Sequence, residues 1–285
     1  MSVSSTVTIS RNGKRSLTTF FGLFLGALYL PTALLMVFAF NDSTTQSWPP
    51  VGFTTHWFSD AANDSELLQS LVNSLKVGVV VAVAATVIGL CVSYPLARRR
   101  FWLRSPVSAL VLSPLVVPPV VLGVAILMMI RKGPNIAIPL TGAHTEDLLG
   151  LTAVVVGHTV LALPFTILLL MPRIASIDRN LEEAAHDLGA SGLVTFRRVM
   201  LPLITPAIFS AFLIAFVISI DEVVVASFVT EDQQTLPMFL YASLRFPDKT
   251  AVVLPVAFLL IVVSFAIALL ATVIRVRGDR RVTAS

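Results

Sequence analysis

The amino-acid sequence predicts an all-α polytopic membrane protein with six transmembrane helices and, between the fourth and fifth, a helix–turn–helix outside the membrane. Three observations lead there. Of 285 residues, 56% are hydrophobic and only 13% charged, with a mean hydropathy of +0.88. A soluble domain carries about 25% charged residues, so this chain lacks the charge to clothe a water-facing surface. Six apolar runs are each close to the roughly 20 residues that cross the hydrocarbon as a helix. The charges between those runs are also sorted by sign from one loop to the next.

The elements follow in order. A tail of residues 1–18 carries Arg11, Lys14 and Arg15 ahead of an apolar run at 19–40. That start resembles a secretory signal, but the run exceeds the roughly 7–15 residues of a signal core and no small-x-small cleavage site follows, so an uncleaved anchor is expected. A loop rich in Asp, Thr, Trp and Pro leads on to residue 76, which closes a first segment, 19–76. The remaining spans fall at 77–97, 106–130, 148–171, 203–220 and 251–274, making a core of five helices over 77–274, and a tail of 275–285 ends the chain. The span at 203–220 is the shortest, because Asp221 and Glu222 follow at once.

Lys and Arg mark the cytoplasmic side of a membrane protein. Three lie before the first span, four in 98–104, four in 172–202 and four after Ile274, fifteen in all. The other set of loops holds five: Lys76, Arg131, Lys132, Arg245 and Lys249. Both termini are therefore expected in the cytoplasm. Acidic residues sort the opposite way, so the net charge of +4 reports topology and not a nucleic-acid surface.

Several classes of activity lack their residues. No G-x-x-x-x-G-K-[ST] run is present to cradle phosphates; Gly13-Lys14 lacks both the upstream Gly and the following Ser or Thr. There is no H-E-x-x-H metal signature, and no Asp or Glu lies in the core of a predicted span, where an ion-coupled secondary transporter would use one. No catalytic residue, metal site or cofactor is expected in this chain. The single Cys91 has no internal partner.

Residues 172–202, PRIASIDRNLEEAAHDLGASGLVTFRRVMLP, have a helical pattern of their own. Ile177, Leu181, Ala184 or Ala185, and Leu188 recur at spacings of three and four, with Glu182, Glu183, His186 and Asp187 on the remaining surface. Ser176 or Asp178 is suited to cap the start, and Gly189 to end the helix in a left-handed turn. A second short helix is expected from Ser191 through Phe196 and Val199 to Pro202. Such a unit suits docking into a groove of a soluble partner, or resting on lipid headgroups.

The residues of this stretch resemble the EAA loop of binding-protein-dependent ABC importer permeases. Glu183-Ala184-Ala185 precedes Gly189, and Val199-Met200-Leu201-Pro202 closes the pattern, with Val where the family has Ile. The resemblance implies that Glu183, Ala184, Ala185, Gly189, Leu201 and Pro202 couple the chain to an ATP-hydrolysing subunit. It further implies a bacterial inner membrane, two such ATPase subunits carrying ATP and Mg, a second permease subunit in a heterodimer, and an extracytoplasmic solute-binding protein. Phe40-Asn41-Asp42-Ser43, Gly52-Phe53-Thr54, Asn73-Ser74-Leu75, Pro114 to Pro119, Ser219-Ile220-Asp221-Glu222 and Thr235-Leu236-Pro237 resemble landmarks of the spermidine/putrescine permease branch. Permeases for iron, sulfate, thiamine, opines and phosphonates are the alternatives that these landmarks leave open.

Within that frame five residues suggest a substrate path. Pro118 and Pro119 interrupt the third span and free backbone carbonyls at membrane depth, where broken helices often line a path. Ser219, Asp221 and Glu222 lie at the outer end of the fifth span, where paired carboxylates would draw a cation. The plainer readings are a static kink and a solvated helix end. His158, inside the fourth span, is expected to hydrogen-bond to a neighbouring helix.

Overall fold

In lipid, an apolar segment has no partner for its backbone but itself, and helices result. The computed structural model describes residues 11–44, 48–132, 149–231, 233–246, 249–263 and 265, without the side chains of residues 11 and 12. The described residues are helical apart from turns and connections, with one isolated antiparallel bridge, Asn41 to Phe53. The helices are α1 (Arg11–Phe38), α2 (His56–Asn63), α3 (Ser65–Arg98), α4 (Arg104–Leu112), α5 (Pro119–Lys132) and α6 (Leu151–Ser176). They continue with α7 (Asn180–Asp187), α8 (Gly192–Thr195), α9 (Leu201–Asp221), α10 (Val224–Val229), α11 (Leu236–Ser243) and α12 (Lys249–Val263).

Among the described residues four helical stretches are long and apolar enough to cross a membrane: Gly13–Phe38, Ser65–Arg98, Leu151–Ser176 and Gly192–Asp221. A fifth is counted if Arg104–Leu115 and Pro119–Lys132 are one span. The protein is thus all-helical and polytopic. The expected sixth span coincides with α12 over its first half; residues 266–274, the tail 275–285 and the first ten residues lie outside the described set.

The expected third span is not one straight helix. Its two halves meet at 103°. Val117 and Pro118 both precede a proline, which disfavours the helical region at two successive residues. Neither Pro118 nor Pro119 has an N–H to continue the ladder. Pro119 then opens α5 at a first-turn position where no donor is needed, and Pro118 O accepts from Val121 N and Leu122 N at 2.9 and 3.2 Å.

Two compact units divide the chain: residues 1–64 with 242–285, and residues 65–241. In the first, α1 leaves Phe20, Phe21, Leu23 and Phe24 exposed, as a lipid-facing helix does. The loop after α1 is built around Asn41, whose Oδ1 accepts from Val51 N at 3.0 Å and whose backbone O accepts from Trp57 Nε1 at 3.0 Å. Phe40, Phe58 and Phe258 form a ring cluster beside it, with centroids 5.1–5.9 Å apart.

The second unit is organised by α3, α6 and α9, which pack pairwise. Between helices in lipid no hydrophobic drive remains, so close packing of small residues and interhelical hydrogen bonds take over. Ala82, Ala85, Ala153, Ala162, Ala211 and Ala215 are fully buried accordingly. At Gly89 a Cβ would collide with Thr166 Oγ1, and that hydroxyl donates to Ala85 O of α3 at 3.1 Å. The short α10 folds back against α5 and α6. Several boundaries move from expectation; most of all, α3 is already helical at Ser65, well before residue 77, because 65–76 mixes polar and apolar residues without a helix breaker.

Candidate functional site

The 172–202 segment starts with α6 running past Pro172 to Ser176. Ser176 Oγ donates back to Arg173 O at 2.8 Å and caps nothing, whereas Asp178 Oδ1 accepts from Asn180 N at 3.0 Å and fixes the entry to α7. At the other end Gly189 N donates to His186 O at 2.8 Å and Ala190 N to Ala185 O at 3.0 Å. These are the two bonds of a Schellman ending, which requires a left-handed residue between them. Gly189 supplies it with φ +80°. The turn leads to Ser191 in extended conformation and then to α8.

The expected second helix ending at Pro202 is not separate. From α8 the chain passes through a π-helical stretch, Phe196–Met200, directly into α9, so Gly192–Asp221 is one continuous rod. Leu201 and Pro202 open α9, where proline in the first turn costs no hydrogen bond. Leu193, Val194, Arg197 and Arg198 line a recess of about 400 Å³ on this rod.

The expected apolar stripe of α7 divides in two. Ile177, just ahead of the helix, is buried, but Leu181 is 46% and Leu188 89% exposed. Glu183 and Ala184 are exposed and Ala185 is partly covered. Glu182, which the pattern puts with the solvated residues, turns inward instead. Its Oε1 lies 2.8 Å from Arg98 Nε, and its Oε2 accepts from Tyr94 Oη at 3.2 Å. Arg98 also donates through Nη1 to Ile177 O at 3.0 Å and reaches Met200 Sδ at 3.8 Å through Nη2. Arg179 Nη2 donates to Arg98 O at 3.3 Å, and the Tyr94 ring meets Phe196 edge-on at 5.4 Å. Arg98, Tyr94 and Glu182 are site residues that spacing along the chain does not reveal.

At the opposite end of α9, Ser219 is buried and shares a 2.9 Å hydrogen bond with His158 Nδ1, which ties α9 to α6. Asp221 is exposed. Glu222 is not a free carboxylate: its Oε1 accepts from Val224 N at 2.7 Å and Val225 N at 3.0 Å, closing the first turn of α10. Pro118 and Pro119 belong to the break that opens α5, the helix on which α10 packs. Two stretches that resemble family landmarks also meet here. Asn73 Nδ2 donates to Gln234 O at 3.0 Å, and Leu236 N donates to Ser74 Oγ at 2.8 Å. Beside them Ser65, Glu66, Gln69, Ser70, Asn73 and Gln233 help to line a polar pocket of about 380 Å³. No group of three His, Cys, Asp or Glu side chains among the described residues is arranged to hold a metal ion.

Residues 78–283 match the sequence pattern of a family described as binding-protein-dependent transport system inner membrane component. The putrescine transport system permease protein PotI of Escherichia coli (strain K12) is 31% identical over 221 residues, 76% of either chain. The spermidine/putrescine transport system permease protein PotC of the same strain is 33% identical over 220 residues, 76% of this chain and 78% of its own. PotC of Haemophilus influenzae is 30% identical over 249 residues, covering 87% and 91%. In fold, the chain is similar to a chain in the crystal structure of a bacterial ABC transporter involved in the import of the acidic polysaccharide alginate. The TM-score is 0.68 at 15% identity, over 95% of this chain and 99% of that one.

Proposed function

The chain belongs to the inner membrane components of binding-protein-dependent transport systems, and from that premise we propose that it is the permease subunit of an ATP-driven importer of polyamines. It works with two ATPase subunits, which bind ATP and Mg, with a second permease in a heterodimer, and with an extracytoplasmic binding protein that delivers cargo. Six spans cross the membrane with both termini in the cytoplasm, so that 172–202 is a cytoplasmic helix–turn–helix. The fifteen-to-five division of Lys and Arg supports that orientation.

One observation carries the coupling role. A short helix displays Glu183, Ala184 and Leu188 outward, with its end held by a left-handed glycine. An 89% exposed leucine beside a carboxylate and an alanine suits a protein groove that admits close approach. The cargo follows from the relatives named for putrescine and spermidine, and the exposed Asp221 suits a cation. ATP binding closes the ATPase pair, and the movement of α7 rocks the helices between two access states.

Purification in mild detergent, with the neighbouring genes co-expressed, is the test. An ATPase should come down with the chain, and proteoliposomes should take up labelled putrescine only with ATP inside. Uptake driven by an ion gradient without ATP would make it a secondary transporter. Orientation is checked separately with single cysteines: Thr44→Cys and Glu231→Cys should react with an impermeant thiol reagent in intact cells, and Arg100→Cys should not.

A further inference from the structure

We propose that Arg98 is the joint through which the 172–202 segment moves α3, with Glu182 as its partner on α7 and Tyr94 as its brace. The proposal rests on the reading that this segment meets an ATPase. It assigns α3, and not the directly attached α9, as the helix that receives the displacement.

The geometry at the joint is specific. One guanidinium touches three successive parts of the segment: the carbonyl of Ile177 where α6 ends, the Glu182 carboxylate on α7, and the Met200 sulfur in the π-helical stretch. The side chains of Arg98 and Glu182 are only 7% and 19% exposed. A planar, five-donor fork fixes the angles between the groups it contacts, which a lysine or an apolar side chain does not. One turn earlier, Tyr94 donates to the second oxygen of the same carboxylate and packs against Phe196. The last turn of α3 therefore holds the segment by side chains from both sides of the Gly189 turn.

Stability alone is a weak reason for such a pair. A buried ion pair is often matched or bettered by apolar residues of similar volume, because desolvating two charges offsets their attraction. What apolar packing would not reproduce is the set of contacts one guanidinium makes at once, an ion pair with Glu182 at 2.8 Å and a hydrogen bond to Ile177 O at 3.0 Å. The two routes out of the segment also differ in kind. Toward α9 the chain passes through the π-helical stretch, an irregular turn of helix. Toward α3 it passes through the clasp into the end of a 34-residue helix, which carries Pro95 between Tyr94 and Arg98. At the far end of that helix Asn73 and Ser74 bond to Gln234 and Leu236, so a shift of the rod reaches the segment that follows α10.

The experiment uses the assembled transporter in proteoliposomes, with Arg98→Gln, Glu182→Gln, the double variant and Arg98→Lys. Four quantities are read: chain in the membrane, ATPase retained on purification, ATP hydrolysed, and putrescine taken up per ATP. The expected result is an ATPase that stays bound and active while uptake per ATP falls about tenfold in Arg98→Gln, the upper range for residues that carry coupling. The double variant should be no worse than either single one, since both remove the same link. Arg98→Lys should recover part of the ratio. An unchanged uptake per ATP, with only the amount of protein reduced, would make the clasp a structural tie and overturn the proposal. So would loss of the ATPase from the variants, which would assign the pair to docking. If Arg98→Gln does not reach the membrane, Tyr94→Phe decides, since it removes a single hydroxyl bond: a fall in the ratio supports the joint and an unchanged ratio rejects it. A wild-type chain that retains no ATPase would overturn the functional reading itself, and this proposal with it.

Discussion

Glu182–Glu183 on α7 and Asp221–Glu222 at the end of α9 are two pairs of adjacent carboxylates, and each pair divides its labour. In each, one residue is used within the fold and the other is left outward. The inner residue differs in what it holds. Glu222 accepts from backbone N–H groups two and three residues ahead, a local cap. Glu182 meets side chains of α3, 88 residues away in the case of Tyr94. A local cap stiffens the turn that it sits in, whereas a distant pair makes two elements move together. The proposed joint thus assigns transmission to the α7 end, whereas the α10 end holds a helix start beside an exposed charge.

The largest effect should come from reversing a charge at the distant pair. Glu182→Lys puts a second cation beside a mostly buried guanidinium. Breaking such a pair costs about 3–5 kcal/mol, so the variant should melt far below wild type in detergent or fail to accumulate. Its neighbour sets the contrast. Glu183→Lys should leave the melting curve within about 0.5 kcal/mol of wild type, as exposed substitutions do, yet weaken retention of the ATPase. Equal destabilisation by the two would erase the distinction between inward and outward residues.

Gly189→Val should come next. A β-branched residue at φ +80° carries a strain of about 1–2 kcal/mol and endangers both bonds of the turn. Uptake should fall severely while the chain remains in the membrane; Gly189→Asn, which tolerates the left-handed region, should keep much more of it. A normal rate in the valine variant would show that the turn is not part of coupling.

At the local pair the effects should be smaller. Glu222→Ala loses the cap and about 1 kcal/mol of stability, while Glu222→Gln keeps an acceptor oxygen and should lose less. That makes glutamine the clean probe of charge. Asp221→Asn alone should slow putrescine uptake modestly, since an exposed charge is screened over about 8–10 Å. Combining Asp221→Asn with Glu222→Gln should slow uptake further without changing basal ATP hydrolysis, and restoring either charge should recover part of the rate. Intact uptake in the double variant would leave the exposed Asp221 as a solvated helix end, without a role in cargo attraction.

Much of the architecture was legible because its causes are local or cumulative. Apolar length sets where helices form in lipid, and the sum of Lys and Arg per loop sets an expected orientation. The break at Pro118–Pro119 follows from the backbone restrictions of proline, and the left-handed turn at Gly189 from the freedom of a glycine placed just after a helical pattern. The outward Glu183 was readable from the spacing of the segment, which put Ala184 or Ala185 instead on an apolar stripe. Even so, local pattern misjudged the stripe on α7: a three-four spacing states which residues share a face, not what that face meets.

What only the tertiary structure decided is where distant polar groups find partners. Glu182 and Glu183 are chemically identical and adjacent, and the 100° rotation between neighbours on a helix turns one toward Arg98 and the other away. Asn73 meets Gln234 across 161 residues because α3 and the segment after α10 are brought side by side, an event with no periodic trace. The sequence by itself therefore determined an all-helical membrane protein, the proline break in its third apolar run and the family to which the chain belongs. The helix packing decided which charges are partners, because a buried polar group must be satisfied by whatever the fold places within about 3 Å of it.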